Sequence, residues 1–371
     1  MNAFTNQGAF STELRTRVDM YFENNRISRT GNWKLYLKSI VLVTAAITIY
    51  LLLLFVDMPA YMSILLCVVF GFTLACVGFN IMHDACHGAY SDRKWINNLL
   101  GYSLNALGGN CFLWKWKHNI HHAYTSVDGM DNDIDKSPLL RQCESQKWLP
   151  IHRYQHIYVV FFYAMASLAW IFGFEFKKYF TRKVTALDIT NMKLADHIIF
   201  WVSKILYLIL YGVLPAILLG FNNWLIGFII MHVSMGFTLS FVFQLGHVVE
   251  PTSFISVDEL QNHHAGRIEW AEHQVRSTAN FAIDNAVISW FVGGLNYQVE
   301  HHLFPRVCHI HYPALSTIVR KACADYHLPY HCYPNMQKAL DSHFRQMRAL
   351  GLQRLDGHVH NREGQGVRNE G

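Results

Sequence analysis

Histidines occur in three short clusters whose spacing is typical of metal ligands. The clusters are His83-Asp84-Ala85-Cys86-His87, His118-Asn119-Ile120-His121-His122 and Gln298-Val299-Glu300-His301-His302. Side chains four residues apart on a helix lie on the same face, and a side chain three residues apart lies beside them. Each cluster therefore directs two or three imidazole or amide groups toward one point, and imidazole binds iron, zinc and copper. The spacing predicts a metal centre assembled from three helical segments.

The number of candidate ligands indicates more than one metal ion. The cluster histidines exceed the four ligands of a zinc site, and they suffice for two metals that share an open coordination position. The predicted ligands are His83, His87, His118, His121, His122, His301 and His302, joined by Gln298 and by His247, which follows the last apolar stretch. His232 lies inside that stretch, where an ionisable residue is a functional candidate by default. We nevertheless interpret it as a neutral, packed side chain.

Other polar residues near the clusters are candidates for orienting the ligands. A carboxylate that hydrogen-bonds a ligating imidazole fixes its tautomer, and the candidates are Asp84, Asp131, Asp133 and Glu300. For the acidic run 128–135 we favour the alternative interpretation, a solvated loop. We expect loop or orienting roles rather than ligation for His263, His264, His273, His309 and His311.

The composition is typical of a membrane protein. Of the 371 residues, 52% are hydrophobic and 15% are charged, whereas about a quarter of the residues in soluble domains are charged. A spanning helix needs about 20 apolar residues, and the segments that qualify are 40–56, 61–82, 198–219 and 224–245. Because short turns join the first segment to the second and the third to the fourth, the sequence predicts two helical hairpins.

The distribution of charge orients these hairpins. The turns at 57–60 and 220–223 contain no Lys or Arg, whereas the N-terminal arm and the middle region are basic. By the positive-inside rule, both hairpins enter the membrane from the cytoplasm and return to it. A fifth apolar stretch, 157–174, would reverse this parity if it crossed. We therefore expect it to lie in the interface or to pack on the other helices.

These features predict an all-α integral membrane protein with four transmembrane helices in two hairpins and a cytoplasmic helical cap that holds the histidine-rich site. We expect a cytoplasmic arm at 1–39 without a cleavable signal peptide, a membrane domain at 40–352 and a polar, disordered tail at 353–371. The eight cysteines are scattered without a CxxC pair, which favours free thiols. The net charge of +5 fits cytoplasmic loops, and we expect no nucleic-acid partner.

From the first span to about Pro313, the chain resembles the membrane fatty acid desaturase family through its HxxxH, HxxHH and QxxHH patterns divided by paired spans. The resemblance implies that the seven cluster histidines and His247 hold two iron ions at the cytoplasmic face. Gln298 stands where many desaturases have histidine, and it either binds metal or orients a neighbour. The sequence at 298–305 is similar to front-end desaturases, above all to bacterial linoleoyl-CoA desaturase-like proteins.

Front-end enzymes insert a double bond between an existing one and the carboxyl end, commonly at the delta-5 or delta-6 position. Many eukaryotic members carry a fused cytochrome b5 domain with an HPGG motif, which does not occur in this sequence. The resemblance therefore implies a separate electron donor of the ferredoxin or cytochrome b5 type.

The implied reaction removes two hydrogens from unactivated methylenes of a fatty acyl chain carried on CoA or a lipid, with O2 as cosubstrate. No side chain can do this, so an oxidising metal centre is required. We expect an iron-oxo species to abstract the first hydrogen, and loss of the second gives a cis double bond. The acyl channel should run between the spans and the cap, and Trp114, Trp116 and Tyr297 are candidates to line it.

Two other functions fit the same residues. A histidine-rich di-iron hydroxylase of lipids or alkanes shares the first hydrogen abstraction, but it leaves an alcohol. A non-enzymatic metal-binding or transport protein would place its ligands inside the spans, whereas here they lie beyond the helix ends. We expect a multi-pass membrane protein with its site on the cytoplasmic face, in the bacterial inner membrane or, in a eukaryote, the endoplasmic reticulum.

Overall fold

The computed structural model describes residues 4–5, 8–135, 138–261 and 268–353, which are mostly helical. The predicted disordered tail beyond Gln353, together with His263 and His264, lies outside the described residues. The α-helices, in chain order, are α1 (Ala9–Asn25), α2 (Trp33–Phe55), α3 (Ala60–Val77), α4 (His83–His87), α5 (Lys94–Gly101), α6 (Ser103–Ala106), α7 (Cys111–Ala123), α8 (Gln155–Ala169), α9 (Glu175–Thr181), α10 (Leu194–Leu208), α11 (Leu214–Leu219), α12 (Phe221–His247), α13 (Val257–Gln261), α14 (Trp270–Ser277), α15 (Ala286–Phe291), α16 (Gln298–Leu303), α17 (Tyr312–Asp325) and α18 (Met336–Leu352).

Shorter elements connect these helices. Single π-helical turns at Gly78–Met82, Trp170–Phe174 and Ile209–Val213 and 3-10 turns at Pro150–Tyr154 and His309–His311 extend them. The strands are β1 (Phe4–Thr5), β2 (Val127–Asp128), β3 (Lys183–Val184), β4 (Leu187–Asp188), β5 (Ile255–Ser256), β6 (Ile268–Glu269), β7 (Asn280–Phe281) and β8 (Cys332–Tyr333). They pair as β1–β6, β2–β5 and β7–β8 in parallel and β3–β4 antiparallel, and these pairs only tie loops together.

Five helices in the described part of the chain are long and apolar enough to cross a membrane: Trp33–Phe55, Ala60–His87, Pro150–Thr181, Leu194–Leu219 and Phe221–His247. Four of them coincide with the predicted spans to within several residues at each end and mostly extend beyond them, because the backbone stays helical into the polar flanks. The fifth contains the predicted interfacial stretch 157–174. Many apolar side chains on these helices remain exposed, which is typical of a surface that faces lipid. The structure is that of a membrane protein with several apolar helices.

Helix α12 packs closely against α3 and α8. At Gly236 of α12, an added Cβ would lie 2.6 Å from the Ala164 carbonyl oxygen of α8. At Gly71 of α3, an added Cβ would overlap the backbone of Met231. Small residues let helix backbones approach closely in membranes. The absence of a side chain at these glycines therefore sets the spacing of the three helices.

His232 is buried within α12 and has hydrogen-bond partners on two other helices. Its Nδ1 lies 2.9 Å from Ser167 Oγ, and its Nε2 lies 2.8 Å from Tyr207 Oη. Both ring nitrogens are therefore paired inside the protein. The prediction that His232 is a packed side chain rather than a ligand agrees with these contacts.

Both ends of the Pro150–Thr181 helix contact elements close to the predicted ligands. At its start, Gln155 Nε2 donates to the carbonyl of Met347 on α18, and His343 on the same helix donates from Nδ1 to the carbonyl of Val248, directly after His247. Near its end, Glu175 Oε1 accepts from the backbone N–H of Asn110, which precedes α7. The helix thus starts and finishes beside histidine-bearing helices.

The N-terminal region is folded against the C-terminal part of the chain. Phe10 and Leu14 of α1 pack in one apolar cluster with Val299 and Val319. The start of α2 is also held there, since Lys38 Nζ lies 3.2 Å from His309 Nε2. Segment 1–39, predicted as an arm, therefore contributes a packed helix and the first residues of α2.

Candidate metal centre

The first and third histidine clusters are placed by a π turn and a pair of glycines. The π turn Gly78–Met82 adds a residue to one turn of the helix just before His83, which rotates α4 relative to α3. Gly293 and Gly294 have φ of 62° and 68° and precede α16. An added Cβ at Gly293 would lie 2.6 Å from the carbonyl oxygen of Phe79 in the π turn. Only glycine permits this approach, which brings α16 against the start of α4.

The second cluster and His247 are placed by helix ends. Helix α7 begins after Asn110, whose side-chain oxygen accepts from the N–H of Leu113 at 3.0 Å. Such a cap satisfies one of the free N–H groups in the first turn of a helix. Helix α12 ends with His247 as its last residue. His118, His121, His122 and His247 therefore lie in the final turns of two helices that meet.

Four histidines from three segments surround one point. Ligand nitrogens of His83, His87, His118 and His301 all lie within 4.8 Å of one another. The His118 Nε2 atom lies 3.2 Å from His83 Nε2 and 3.0 Å from His87 Nε2. The predicted convergence of distant helical turns is therefore present in the structure for this group.

A second group forms next to the first. Ligand nitrogens of His121, His247 and His302 lie within 4.8 Å of one another, and so do those of His122, His301 and His302. His122 also contacts the first group, with its Nε2 atom 3.1 Å from His118 Nε2. The structure thus brings all eight predicted histidines together as two adjacent groups, with His122 between them.

Several imidazole nitrogens in these groups are buried without a hydrogen bond. They are His121 Nε2, His122 Nδ1, His247 Nδ1, His247 Nε2, His301 Nε2 and His302 Nε2, none of which has a partner among the described residues. Leaving a buried polar atom unpaired costs about 1–3 kcal/mol. So many unpaired lone-pair donors at one place indicate ligands for metal ions, and the donor set of imidazoles suits iron, zinc or copper.

The other ring nitrogen of three of these histidines is held by a neighbour. His121 Nδ1 donates to Asp131 Oδ2 at 2.9 Å, and His302 Nδ1 donates to Gln274 Oε1 at 2.9 Å. His301 Nδ1 lies 3.2 Å from Tyr312 Oη. A hydrogen bond at Nδ1 directs the Nε2 lone pair toward the centre, which is how outer partners orient metal ligands.

The orienting residues predicted from sequence have mixed outcomes. Asp131 contacts His121, and Asp133 forms an ion pair with Lys117 and lies 3.9 Å from His121 Nδ1. Both carboxylates are buried, so the solvated-loop interpretation is wrong for them. They are buried because the loop folds back onto α7, with Asp131 accepting from His121 of α7 and from the N–H of Ser126 in the loop itself.

The remaining orienting candidates contact other groups. Asp84 accepts from His309 Nδ1 at 2.8 Å. Glu300 accepts from Asn280 Nδ2 and Tyr330 Oη, both at 2.8 Å. His273 donates from Nε2 to the Thr125 carbonyl, and His311 lies 3.2 Å from the Thr30 carbonyl. These side chains tie loops around the centre together.

Sequence reasoning missed Gln274 and Tyr312. Gln274 lies on the short helix α14, where its Oε1 also accepts from Thr125 Oγ1 at 2.9 Å. Neither residue stands at a fixed offset from a histidine cluster, so spacing gives no signal for it. Their role arises from tertiary packing that places α14 and α17 behind α16.

Burial keeps most of the centre neutral. It lowers the pKa of His118, His122, His301 and His302 well below the usual value, and the neighbouring imidazoles add to the effect. Burial also opposes the charged form of His121, but the carboxylates of Asp131 and Asp133 together outweigh it and raise the pKa of His121. Neutral imidazole is the form that binds metal, so burial favours the ligating state of His118, His122, His301 and His302.

Gln298 lies at the edge of the second group. Its Nε2 donates to the Leu295 carbonyl at 2.8 Å, and its side chain packs against Gly246, the residue before His247. An added Cβ at Gly246 would overlap Gln298. The contact between Gln298 and Gly246 therefore fixes how closely α16 approaches the end of α12.

A cavity of about 1110 Å³ opens onto both histidine groups. Its histidine wall consists of His83, His118, His121, His247, His301 and His302. Apolar side chains of α3, α8 and α12, such as Leu74, Ala166 and Leu239, line the part that runs away from them. The exposed lining is mostly apolar, which is typical of a site for an apolar ligand, and it also includes charged side chains such as Lys117, Asp133 and Lys178.

Of the aromatic residues predicted to line a channel, Trp114 does so. It borders the cavity and stacks on His118, with ring centroids 4.2 Å apart. Trp116 packs instead with the apolar cluster of Leu113 and Phe200, and Tyr297 donates its hydroxyl to the Ile283 carbonyl.

Comparison with known proteins places these features in a family. The fatty acid desaturase family model matches residues 59–334. The chain is 34% identical to the sn-1 linoleoyl-lipid 6-desaturase of Arthrospira platensis, over 92% of this chain and 93% of that protein. It is also 34% identical to the sn-1 linoleoyl-lipid 6-desaturase of Synechocystis, over 94% and 97% of the two chains. It is similar to an acyl-lipid (8-3)-desaturase of Physcomitrium patens, at 34% identity over 94% of this chain and 73% of that protein.

The chain therefore belongs to the fatty acid desaturase family, as its histidine patterns indicated. It is an enzyme, an oxidoreductase that desaturates fatty acyl chains. The alternative of a non-enzymatic metal-binding or transport protein is thereby set aside. The histidine groups and the apolar cavity are the parts of the structure in which such an enzyme would carry out its chemistry.

Proposed function

We propose that the chain inserts a cis double bond into a lipid-linked polyunsaturated acyl chain, between an existing double bond and the carboxyl end, using dioxygen and two iron ions. The observation that supports this most strongly is the wall shared by the apolar cavity and both histidine groups. An elongated apolar chain in that cavity passes beside the nitrogens that would hold the metals. The site can therefore bring an otherwise unreactive methylene next to an oxidising centre.

The residues present fit two iron ions. His83, His87, His118 and His301 would hold one ion, and His121, His247 and His302 the other, with His122 between them. The buried, unpaired nitrogens of these rings are the atoms that a metal would satisfy. Bound there, the irons would supply the power to remove two hydrogens from unactivated methylenes with dioxygen as the oxidant, which no side chain can do.

The chain's own residues position the reactants. Asp131, Gln274 and Tyr312 hold three imidazoles in one orientation through their Nδ1 atoms. The apolar walls of α3, α8 and α12 exclude water and keep an acyl chain extended beside the centre. We assign Gln298 an orienting role, because its amide donates to Leu295 and its side chain packs beside His247.

The substrate class is supported by the similar proteins. Two of them are named as acting on linoleoyl groups in lipids, and a third is named as an acyl-lipid desaturase. Linoleoyl chains already carry double bonds, and the 6-position lies between those bonds and the carboxyl group. A lipid-linked linoleoyl chain is therefore the first substrate to test, and the CoA ester is the second.

Electrons would enter beside His87. It is the one histidine of the eight that is not buried, and the positive charges of Lys115 and Arg306 act on it. Two positive charges beside a partly exposed ligand favour an acidic one-electron carrier. We propose a separate donor of the ferredoxin or cytochrome b5 type.

Four helices crossing the membrane in two hairpins agree best with the convergence of the histidines. The histidine side holds the start of α2 and the ends of α4 and α12. The start of α10 lies there too, because Phe200 of α10 packs with Ile120 of α7. Both ends of Pro150–Thr181 lie on that side too. We propose that this helix enters the membrane without crossing it and, from the uncharged turns at 57–60 and 220–223, that the histidine side is cytoplasmic.

Expression in a host fed linoleic acid tests the function. We expect a new triene with its added double bond on the carboxyl side, detected by mass spectrometry in extracted lipids, and the variant His121→Ala should lack it while the protein stays in the membrane. Unchanged lipid profiles in both strains, with the protein loaded with metal and supplied with reductant, would contradict the proposal. A hydroxylated acid without a new double bond would favour the hydroxylase.

A further inference from the structure

Two of the eight cysteines touch each other beside the candidate metal centre. Cys86 Sγ lies 3.6 Å from Cys111 Sγ. Cys86 directly precedes His87 and is partly exposed, whereas Cys111 is the first residue of α7 and is buried. Gly101 borders both sulfurs: an added Cβ there would lie 3.1 Å from Cys111 Sγ and 3.5 Å from Cys86 Sγ. Two segments that carry predicted ligands thus meet through a pair of thiols.

We propose that Cys86 and Cys111 are a redox modification site, at which a hydroperoxide forms a reversible disulfide that disturbs the metal centre. The Cys86 thiol attacks hydrogen peroxide, giving a sulfenic acid and one water. The Cys111 thiol then attacks that sulfur, forming the S–S bond and releasing the second water. Two thiols are oxidised and one peroxide is reduced, so the step needs no other reactant.

The surroundings of the pair suit this sequence of events. Cys86 is the more accessible sulfur, so peroxide reaches it first. Cys111 is the first residue of α7 and its sulfur contacts Cys86, so it is placed to attack a sulfenic acid formed there. Cytosolic disulfides are usually transient and redox-sensing, which fits a reversible modification.

The cross-link would change the geometry of the first histidine group. A disulfide has an S–S distance of about 2.05 Å, so the sulfurs must move together from 3.6 Å. This movement draws the start of α7 toward α4. Because His87 follows Cys86 directly and its Nε2 atom lies 3.0 Å from His118 Nε2 on α7, the ligand atoms move with it. Disturbing the orientation of metal ligands costs about 10–100-fold in affinity or activity.

Peptide mapping of the full-length protein in membranes tests the modification. The protein is treated with hydrogen peroxide, free thiols are alkylated, and the unreduced digest is searched by mass spectrometry for the Cys86–Cys111 pair. We expect the linked peptide in the wild type and in Cys332→Ser, and its loss in Cys86→Ser and Cys111→Ser. Cys332 is a matched control because it is also partly exposed, and its sulfur contacts the Tyr333 carbonyl instead of a thiol.

Iron content and activity test the consequence. We expect the cross-linked protein to lose at least about tenfold in desaturation activity and to recover it after dithiothreitol. The Cys86→Ser variant should show no loss of activity after peroxide that dithiothreitol reverses. The proposal would be overturned if both thiols remain free after peroxide and are therefore alkylated. A cross-linked protein with unchanged iron content and activity would overturn it as well. The activity measurement rests on the proposed function, whereas peptide mapping and iron content do not. Failure of the proposed function is therefore distinguishable from failure of the disulfide proposal.

Discussion

Two histidines on helix α12 differ in their environment although both are buried. One is a packed side chain, and the other is a candidate metal ligand. His232 lies within the apolar part of the helix, and both of its nitrogens are hydrogen-bonded, to Ser167 and Tyr207. His247 ends the same helix and is equally buried, yet neither of its nitrogens has a hydrogen-bond partner among the described residues. Instead it faces His121 and His302.

This difference separates a structural histidine from a candidate metal ligand. A buried polar atom without a partner costs free energy, so a protein retains it only where something else satisfies it. His232 needs nothing further, and its hydrogen bonds hold three helices together. A metal ion held by His247 would satisfy a nitrogen that no described residue satisfies. Histidine count and burial do not separate the two residues, whereas the hydrogen-bond inventory does.

The largest effect should come from removing a ligand at the end of α12. We expect His247→Ala to lower desaturation at least about 100-fold and to reduce bound iron by up to one ion per chain. Iron analysis of the purified variant beside lipid analysis of the expressing strain measures both. Normal iron content with full activity would show that His247 is not a metal ligand and would contradict its contrast with His232.

Loss of an orienting partner should have a smaller effect. Asp131→Asn keeps the shape of the side chain but removes the charge that holds His121, and we expect a decrease of about 10–100-fold in activity or iron affinity. Titration of metal-free protein with ferrous iron measures the change. Asp188→Asn is a matched control, because Asp188 is exposed and distant in the chain from the centre. Equal activity and equal iron affinity of the Asp131→Asn and Asp188→Asn variants would contradict the role of Asp131.

Changing Gln298 should have a weaker effect still. We expect Gln298→Ala to retain two irons and to lose less than about tenfold in activity, since the proposed role of this side chain is to orient His247 and not to bind metal. The iron-to-protein ratio decides between orienting and ligating. A variant that holds one iron fewer would make Gln298 a ligand.

The smallest effect on catalysis belongs to His232. We expect His232→Leu to leave iron content unchanged and activity within about twofold, because no ligand is lost. Its stability should fall by about 1–3 kcal/mol, since Tyr207 loses its partner in a buried place, whereas Ser167 keeps the backbone carbonyl of residue 232. Thermal unfolding of the detergent-solubilised protein measures this loss. A large loss of iron in this variant would remove the distinction between the two histidines.

Much of this organisation follows from the sequence. Helical spacing within the clusters identified the histidines that the structure brings together, because residues three and four apart share a helix face whatever the tertiary structure. Apolar length located four helices to within several residues at each end. The stretch 157–174 was ambiguous for a physical reason: its length and composition permit crossing, and only tertiary contacts such as those of Gln155 and Glu175 bear on whether it crosses.

Other parts of the site were beyond sequence reasoning. The burial of Asp131 depends on a loop folding onto α7, and an acidic run in isolation reads as solvated. Gln274 and Tyr312 reach the histidines through packing between distant segments and carry no local signal. The contact between Cys86 and Cys111 is of the same kind, since scattered cysteines predict no pairing.

Diffraction at the iron absorption edge, from crystals of the iron-loaded protein, tests the central claim most directly. The account predicts two anomalous peaks per chain, one among His83, His87, His118 and His301 and the other among His121, His247 and His302, with His232 bound to neither. One peak only, or peaks away from these nitrogens, would contradict it.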